Sequence, residues 1–159
     1  MPVAQAAELM QACCGSRRWV SGMLARRPFG SREAVLEGAE LEARSLTPSD
    51  WREAFSHHPR IGERTSDLPQ PEQGQRWSAG EQRGVDRASP GMREALSRVN
   101  QEYEARFGYL YIAYASGRSA EELLAIARAR LANDPESELL VAAGEQRKIT
   151  RRRLETLLR

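Results

Sequence analysis

Apolar residues recur at helical spacing along most of the chain, and each run begins with residues typical of a helix N-terminus. Ser31 is a good N-cap, and Thr47-Pro48 combines a cap with a proline at the first helical position. In the N-terminal third, the pattern predicts helices over residues 3–14, 16–26, 31–46 and 47–56. This third is therefore expected to be helical throughout.

The same signals continue in the C-terminal half. Ser89 and Asp134 each precede a proline, and Ser119 begins a capping box with Glu122. The helices predicted there cover residues 89–107, 119–133 and 134 to the end of the final apolar run, Leu157. The apolar run Tyr109–Ala115 is either a buried helical segment or a single extended piece, and no convincing strand is available to pair with it.

Residues 57–77 hold several turn formers and almost no apolar residues, which predicts a loop of about twenty residues. Loops of that length inside a compact domain tend to be functional or disordered. Ser78-Ala79-Gly80-Glu81 then has the spacing of a capping box and predicts the start of a short helix. Together the pattern predicts an all-α, single-domain bundle of about eight short helices spanning residues 1–159, with a long functional loop.

Composition agrees with that fold. The chain has 159 residues, enough for one core, and its 40% hydrophobic and 29% charged residues are typical of a globular protein. Valine, isoleucine and threonine are scarce, which disfavours a β-rich fold.

The longest apolar run, Tyr109–Ala115, is too short to span a membrane, and no targeting signal is evident, so we expect a cytoplasmic protein. Cys13 and Cys14 are adjacent and are expected to be reduced, buried residues.

The net charge of +2 is too even to indicate a nucleic-acid or membrane partner by itself. Arginine outnumbers lysine by 23 to one. This excess has two interpretations. Arginine guanidinium groups could bind phosphate or carboxylate ligands, or the genome could favour arginine codons. The codon interpretation is preferred.

The chain has two histidines, His57 and His58, at the start of the predicted loop. A histidine there either interacts with the helix C-terminus or serves as an acid or base with a pKa near neutrality. Adjacent imidazoles rarely bind one ion, so a metal site is disfavoured. Glu81 is either a capping residue or, if it meets His58, the carboxylate of a carboxylate–imidazole couple. Nucleophile elbows, phosphate loops and dinucleotide fingerprints are absent from the sequence.

Three segments, in order, resemble the motifs of the OHCU decarboxylase family, where OHCU is 2-oxo-4-hydroxy-4-carboxy-5-ureidoimidazoline, an intermediate of urate degradation. They are Phe55-Ser56-His57-His58-Pro59-Arg60-Ile61-Gly62-Glu63, Ser78-Ala79-Gly80-Glu81-Gln82 and Phe107-Gly108-Tyr109-Leu110-Tyr111-Ile112-Ala113-Tyr114-Ala115-Ser116-Gly117. Further similar pieces are Cys13-Cys14-Gly15-Ser16, Arg27-Pro28-Phe29 and Glu145-Gln146-Arg147-Lys148-Ile149-Thr150 with Arg153-Leu154. The resemblance covers nearly the whole chain, and its most specific part is His-Pro-Arg-Ile-Gly followed by Ser-x-x-Glu-Gln.

The resemblance implies an all-helical, cofactor-free and metal-free carboxy-lyase of purine metabolism, usually a homodimer, that converts OHCU to (S)-allantoin. It implies that His58 is the proton donor and that Glu81 belongs to the catalytic site. Arg153 or Arg60 is expected to pair with an anionic group of the substrate. The substrate-binding residues implied by the resemblance are Pro59, Ser78, Gln82, Ile112, Ala113, Tyr114, Ala115, Ser116 and Arg153.

The chemistry of this reaction suits these residue types. Loss of carbon dioxide from OHCU leaves negative charge that the ring can delocalise, so an electron-sink cofactor is unnecessary. The protein must then position the substrate, stabilise the charge and add one proton to one face. Two other functions remain open at this point: another hydrolase or lyase of the same pathway, and a helical adaptor whose arginines bind a partner or nucleic acid.

Overall fold

The computed structural model of the protein describes residues 1–63 and 72–159, and within these ranges it contains nine helices and no strand. The helices are α1 (Val3–Cys13), α2 (Arg17–Ala25), α3 (Arg32–Arg44), α4 (Pro48–Ser56), α5 (Glu72–Glu81), α6 (Arg83–Asp86), α7 (Pro90–Phe107), α8 (Ala120–Arg130) and α9 (Pro135–Leu157). The predicted all-α class is therefore confirmed. In the described part of the chain, none of the helices is long and apolar enough to cross a membrane.

Local capping explains most helix starts. The side chains of Ser31, Ser89 and Asp134 each accept a hydrogen bond from a backbone N–H of the first turn. Thr47 and Ser119 form complete capping boxes, with Asp50 and Glu122 respectively at the third helical position. These predicted starts are confirmed, because a cap is built from residues within four positions of one another.

The prediction for Ser78 is wrong. Helix α5 begins at Glu72, so Ser78 lies in its last two turns and Glu81 is its final residue. The predicted loop over 57–77 is thus too long at its C-terminal side, and residues 64–71 of it lie outside the described residues. Glu72–Trp77 carry few apolar residues, and the helix they form is stabilised by packing of α5 against α1. Periodicity within this segment alone did not reveal that contact.

The run Tyr109–Ala115 is neither helix nor strand, which selects the extended alternative. Gly108 ends α7 in the left-handed conformation, with φ 80°, and turns the chain into this segment. Tyr111 and Ile112 are each 2% exposed, so the segment runs through the interior rather than over the surface. Its ordered path places several backbone groups inside the molecule.

Three apolar clusters surround this interior segment. One joins α7, α8 and the alternate residues of the segment, including Tyr111, and a second joins α1, α2 and α3. The third lies between α4 and α9 and includes Phe55 and Ile112. The end of α4, the end of α5, helix α9 and the segment 109–115 therefore meet at one place.

Helix α9 buries polar residues as well as apolar ones. Leu140 is 72% exposed, whereas the side chains of Glu138, Gln146, Thr150 and Arg153 are buried. Gln146, Thr150 and Arg153 follow one another at spacings of four and three residues, so they share one face of the helix. The polar face points inward because it supplies partners to buried groups of other elements, as described next.

Candidate active site

A small cleft with a cavity volume of about 20 Å³ lies where these elements meet. His58 and Ile61 come from the loop after α4, and Ser78, Glu81 and Gln82 from the end of α5. The complete lining consists of His58, Pro59, Ile61, Ser78, Glu81, Gln82, Tyr111, Ile112, Ala113, Ala115 and Ile149.

The loop that carries His58 is fixed at both ends. Phe55, at the end of α4, is fully buried, and Ile61 is 5% exposed against the cluster of α7 and α8. The Ile61 carbonyl accepts a 2.9 Å hydrogen bond from the Asn100 amide. The next residue, Gly62, donates its backbone N–H to Oε1 of Gln82 at 2.9 Å, and its φ of 95° suits glycine. The loop is thereby tied to the end of α5.

His58 is buried, with 7% of its surface exposed, and its Nε2 lies 2.6 Å from Oε1 of Gln146. Burial and, to a lesser extent, the nearby Arg153 guanidinium lower the pKa of His58 from 6.5 to about 3. The hydrogen bond to Gln146 acts in the opposite direction. His58 is therefore neutral at physiological pH in this structure.

Glu81 does not contact His58 as a carboxylate–imidazole couple. Its two carboxylate oxygens accept hydrogen bonds from Nε and Nη2 of Arg153, at 2.8 and 2.9 Å. Arg153 also donates from Nη2 to Ser78 Oγ at 3.1 Å and from Nη1 to the Ala12 carbonyl at 2.9 Å. A guanidinium has five N–H donors, so most of those of Arg153 are already used within the protein. Arg153 thus positions Glu81 and Ser78.

The residues suggested by the sequence do not all line the cleft. Eight of them do: His58, Pro59, Ser78, Glu81, Gln82, Ile112, Ala113 and Ala115. Arg153 lies behind Glu81, while Tyr114 and Ser116 fall outside the lining. The backbone N–H of Tyr114 instead donates to Glu145 at 3.3 Å. Arg60 lines a neighbouring groove and binds Glu104 in a two-point ion pair, with its Nη2 2.8 Å from Oε1.

Gln146, which contacts His58 at the cleft, is not among the site residues predicted from the sequence. It is fully buried and lies 88 residues from His58 along the chain. The available signal was the row Gln146, Thr150 and Arg153, which shares one side of α9 with the apolar Ile149 and Leu154. Polar residues at helical spacing on an apolar face indicate buried partners.

A buried ion pair holds the interior segment from behind. The Arg130 guanidinium lies 2.6 Å from Oε2 of Glu138, and Glu138 also accepts a hydrogen bond from the Tyr103 hydroxyl at 2.5 Å. Arg130 donates a further 2.6 Å hydrogen bond to the Ile112 carbonyl. Because the carbonyl and the following N–H of a trans peptide point in opposite directions, this bond directs the Ala113 N–H away from Arg130. Among the described residues this N–H makes no hydrogen bond to a backbone carbonyl.

Two features fall outside the cleft. The ring of His57 packs against Gly15, where an added Cβ would lie 2.5 Å from the imidazole. Cys13 and Cys14 are free and buried, and burial raises their thiol pKa values to about 12 and about 11. In the described part of the chain, no three residues among His, Cys, Asp and Glu group closely enough to hold a metal ion.

Comparison with known proteins identifies relatives of this chain. A family model described as OHCU decarboxylase matches residues 1–155. The uric acid degradation bifunctional protein TTL of Arabidopsis thaliana is 33% identical over 147 residues, which cover 92% of this chain and 45% of that protein. The 2-oxo-4-hydroxy-4-carboxy-5-ureidoimidazoline decarboxylase of Amia calva is 32% identical over 77 residues, or 48% of this chain and 44% of that protein. The chain thus spans less than half the length of these two relatives.

Solved structures share the fold. An OHCU decarboxylase crystallised in the presence of (S)-allantoin superimposes with a TM-score of 0.82 and 31% identity, covering 95% of this chain and 97% of that chain. An (S)-allantoin synthase has a TM-score of 0.73 over 100% of this chain and 51% of that chain, and at 15% identity it shows the fold alone. The chain belongs to the OHCU decarboxylase family.

Proposed function

We propose that this protein decarboxylates OHCU to (S)-allantoin in urate degradation, without a cofactor, and that His58 adds the proton to one face of the ring. The observation that carries the proposal is a buried histidine, His58, that lines one cleft together with Glu81 and Gln82. Support also comes from membership of the family and from the structural relative crystallised in the presence of (S)-allantoin.

The chemistry requires few groups. The bond between the ring carbon and the carboxylate breaks, carbon dioxide leaves, and the electron pair stays on the ring, where the adjoining amidine-like group delocalises it. One proton taken up from water then completes the product. Gln82 and the backbone of 112–115 are placed to contact the ring and ureido heteroatoms. Weak contact with the carboxylate favours turnover, because that charge leaves with the carbon dioxide.

The low pKa of His58 is compatible with a proton donor that is charged during turnover. Burial and the Arg153 guanidinium lower the pKa of His58 and keep its imidazole neutral. A substrate carboxylate brings a negative charge next to His58, which favours the imidazolium form and raises the pKa of the histidine. Substrate binding would thus protonate His58, which then holds the proton that the reaction needs.

The test uses freshly generated OHCU with circular dichroism to follow optically active allantoin, since spontaneous decay of OHCU yields a racemic product. We expect His58→Asn to lower the enantioselective rate by about a hundred- to ten-thousand-fold. His57→Asn is the matched control and should be far milder, since His57 packs on Gly15 outside the cleft. An unchanged enantioselective rate in His58→Asn would show that the proton donor is wrongly assigned.

Glu81 requires a separate variant. We propose that it orients the substrate hydroxyl, since Arg153 fixes both of its oxygens beside the cleft. A Glu81→Ala variant that loses stability but retains turnover would limit Glu81 to a structural role as the partner of Arg153. The homodimer and the cytoplasmic location remain predictions from the resemblance and the sequence, and light scattering and cell fractionation test them.

A further inference from the structure

We propose that Gln146, held by Thr150 and the Cys13 carbonyl, fixes neutral His58 in the tautomer that carries hydrogen on Nε2, so that Nδ1 is the atom that exchanges the proton. The tautomer follows from the hydrogen bonds alone, while its catalytic consequence depends on the proposed function. Gln146 and Thr150 are then positioning residues, since they act through His58.

The direction of the chain of hydrogen bonds is set at the Cys13 carbonyl, which can only accept. Thr150 Oγ1 lies 3.3 Å from this oxygen, so its single hydroxyl hydrogen is donated there. The Thr150 oxygen can then only accept from Gln146, whose Nε2 lies 3.1 Å away. This places the amide nitrogen of Gln146 towards Thr150 and its amide oxygen towards His58.

The amide oxygen of Gln146 can only accept, and it lies 2.6 Å from Nε2 of His58. His58 Nε2 must therefore carry a hydrogen. Reversing the Gln146 amide would require the one Thr150 hydrogen to serve both the amide oxygen and the Cys13 carbonyl, which would leave a buried acceptor unpaired. Gln146 and Cys13 are 0% exposed and Thr150 is 6% exposed, so bulk solvent does not reach the acceptor that would lose its partner.

With Nε2 bonded to Gln146, Nδ1 is the remaining ring nitrogen for proton exchange. In one turnover the imidazole of His58 gains a proton from water at Nδ1 and gives it up to the substrate from the same atom. The acceptor is the ureido-bearing carbon of the substrate, next to the carbon that lost carbon dioxide, and the substrate hydroxyl becomes the carbonyl of the product as its proton moves to the ring nitrogen. His58 returns to its starting tautomer without rotating, because the Nε2–H bond to Gln146 is kept in both charge states.

The direct test is the two-bond ¹H–¹⁵N spectrum of His58 in the uniformly labelled protein, which distinguishes a protonated ring nitrogen from an unprotonated one. The chain has two histidines, so the signals lost in His58→Asn assign those of His58. We expect Nε2 to be protonated and Nδ1 unprotonated at neutral pH. A reversed pattern, or an even mixture of the two tautomers, would overturn the assignment.

Thr150→Val tests the cause, because it keeps the side-chain shape and removes the hydroxyl that orients Gln146. We expect a mixture of tautomers and a fall in kcat on the order of ten- to a hundred-fold, with KM little changed. Thr156→Val is the matched control on the same helix, since the Thr156 hydroxyl bonds the Arg152 carbonyl and not the cleft. A Thr150→Val protein with the single Nε2–H form and full kcat would contradict the proposal.

Gln146→Glu provides the conservative rescue. It keeps an accepting oxygen beside Nε2, so the Nε2–H form should persist, and its charge should raise the pKa of His58 and shift the pH profile upward. Gln146→Leu should lose both the tautomer preference and the turnover. If His58 carries its hydrogen on Nε2 but the protein has no effect on OHCU, the proposed function is overturned and the tautomer assignment is still supported. The reversed tautomer in an active enzyme would overturn the tautomer assignment alone.

Discussion

Arg153 binds both carboxylate oxygens of Glu81, with Nε 2.8 Å from Oε1 and Nη2 2.9 Å from Oε2. The two residues are 72 positions apart, on α9 and at the end of α5. Their side chains are 4% and 15% exposed, so water screens the pair little. The carboxylate at the edge of the cleft therefore owes its position to the last helix of the chain.

We expect Arg153→Met to lower the free energy of unfolding by about 3–5 kcal/mol, because it leaves the Glu81 carboxylate without its buried partner. Urea unfolding followed by far-ultraviolet circular dichroism measures this loss. Arg151→Met on the same helix is the control, since Arg151 makes a more exposed ion pair with Glu155 and should cost less than about 1 kcal/mol. Equal losses in the two variants would contradict the importance of the Arg153–Glu81 pair.

Stability should depend on pH through His58. Its pKa falls from 6.5 to about 3 on folding, chiefly through burial, so between these values the unfolded chain binds a proton that the folded chain does not. The contribution of His58 to the free energy of unfolding is therefore fully present above about pH 6.5. It decreases by about 1.4 kcal/mol per pH unit as the pH falls towards 3. Urea unfolding at several pH values should show a shallower slope for His58→Gln. Identical slopes would show that His58 is not the titrating group.

The buried pair Arg130–Glu138 should show strong coupling. Arg130→Met and Glu138→Leu should each cost about 3–5 kcal/mol, because each leaves one uncompensated buried charge. The double variant should cost less than the sum of the two by more than about 1 kcal/mol, since both charges are then gone. A double-mutant cycle in urea measures this coupling, and simple additivity would contradict it.

Loss of Arg130 should also affect the cleft, because its 2.6 Å hydrogen bond to the Ile112 carbonyl fixes the lining segment. Under the proposed function, Arg130→Met should raise KM for OHCU. An unchanged KM in the folded variant would show that the segment keeps its path without this bond.

Gly84 marks a close contact between α6 and the chain after the interior segment. A Cβ added at Gly84 would lie 2.2 Å from the Arg118 carbonyl oxygen, which is backbone and cannot swing aside. We expect Gly84→Ala to destabilise the fold by about 1–3 kcal/mol. Gly144→Ala is the control in the interior of α9, where nothing lies within 4 Å of an added Cβ. It should stabilise by about 0.5–1 kcal/mol. Thermal unfolding compares the melting temperatures of the two variants, and equal shifts would contradict a close contact at Gly84.

The helical class and most helix starts could be predicted from the amino-acid sequence. Ser31, Thr47, Ser89, Ser119 and Asp134 each cap the helix that follows them, because a cap depends on residues within one turn. The motif around His58 and the apolar run Tyr109–Ala115 also identified elements that meet at the cleft, because their residue types and order are readable without coordinates.

Which side chains contact one another in the cleft depends on how distant helices pack, and this could not be predicted from the sequence. Glu81 has the local spacing of a capping residue, yet α5 begins at Glu72 and Glu81 binds Arg153 from α9. His58 meets Gln146 rather than Glu81, across 88 residues of chain. Such contacts depend on how α4, α5 and α9 pack, and short-range spacing carries no information on partners that distant in the chain. The polar face of α9 turns inward because the groups it satisfies belong to other elements.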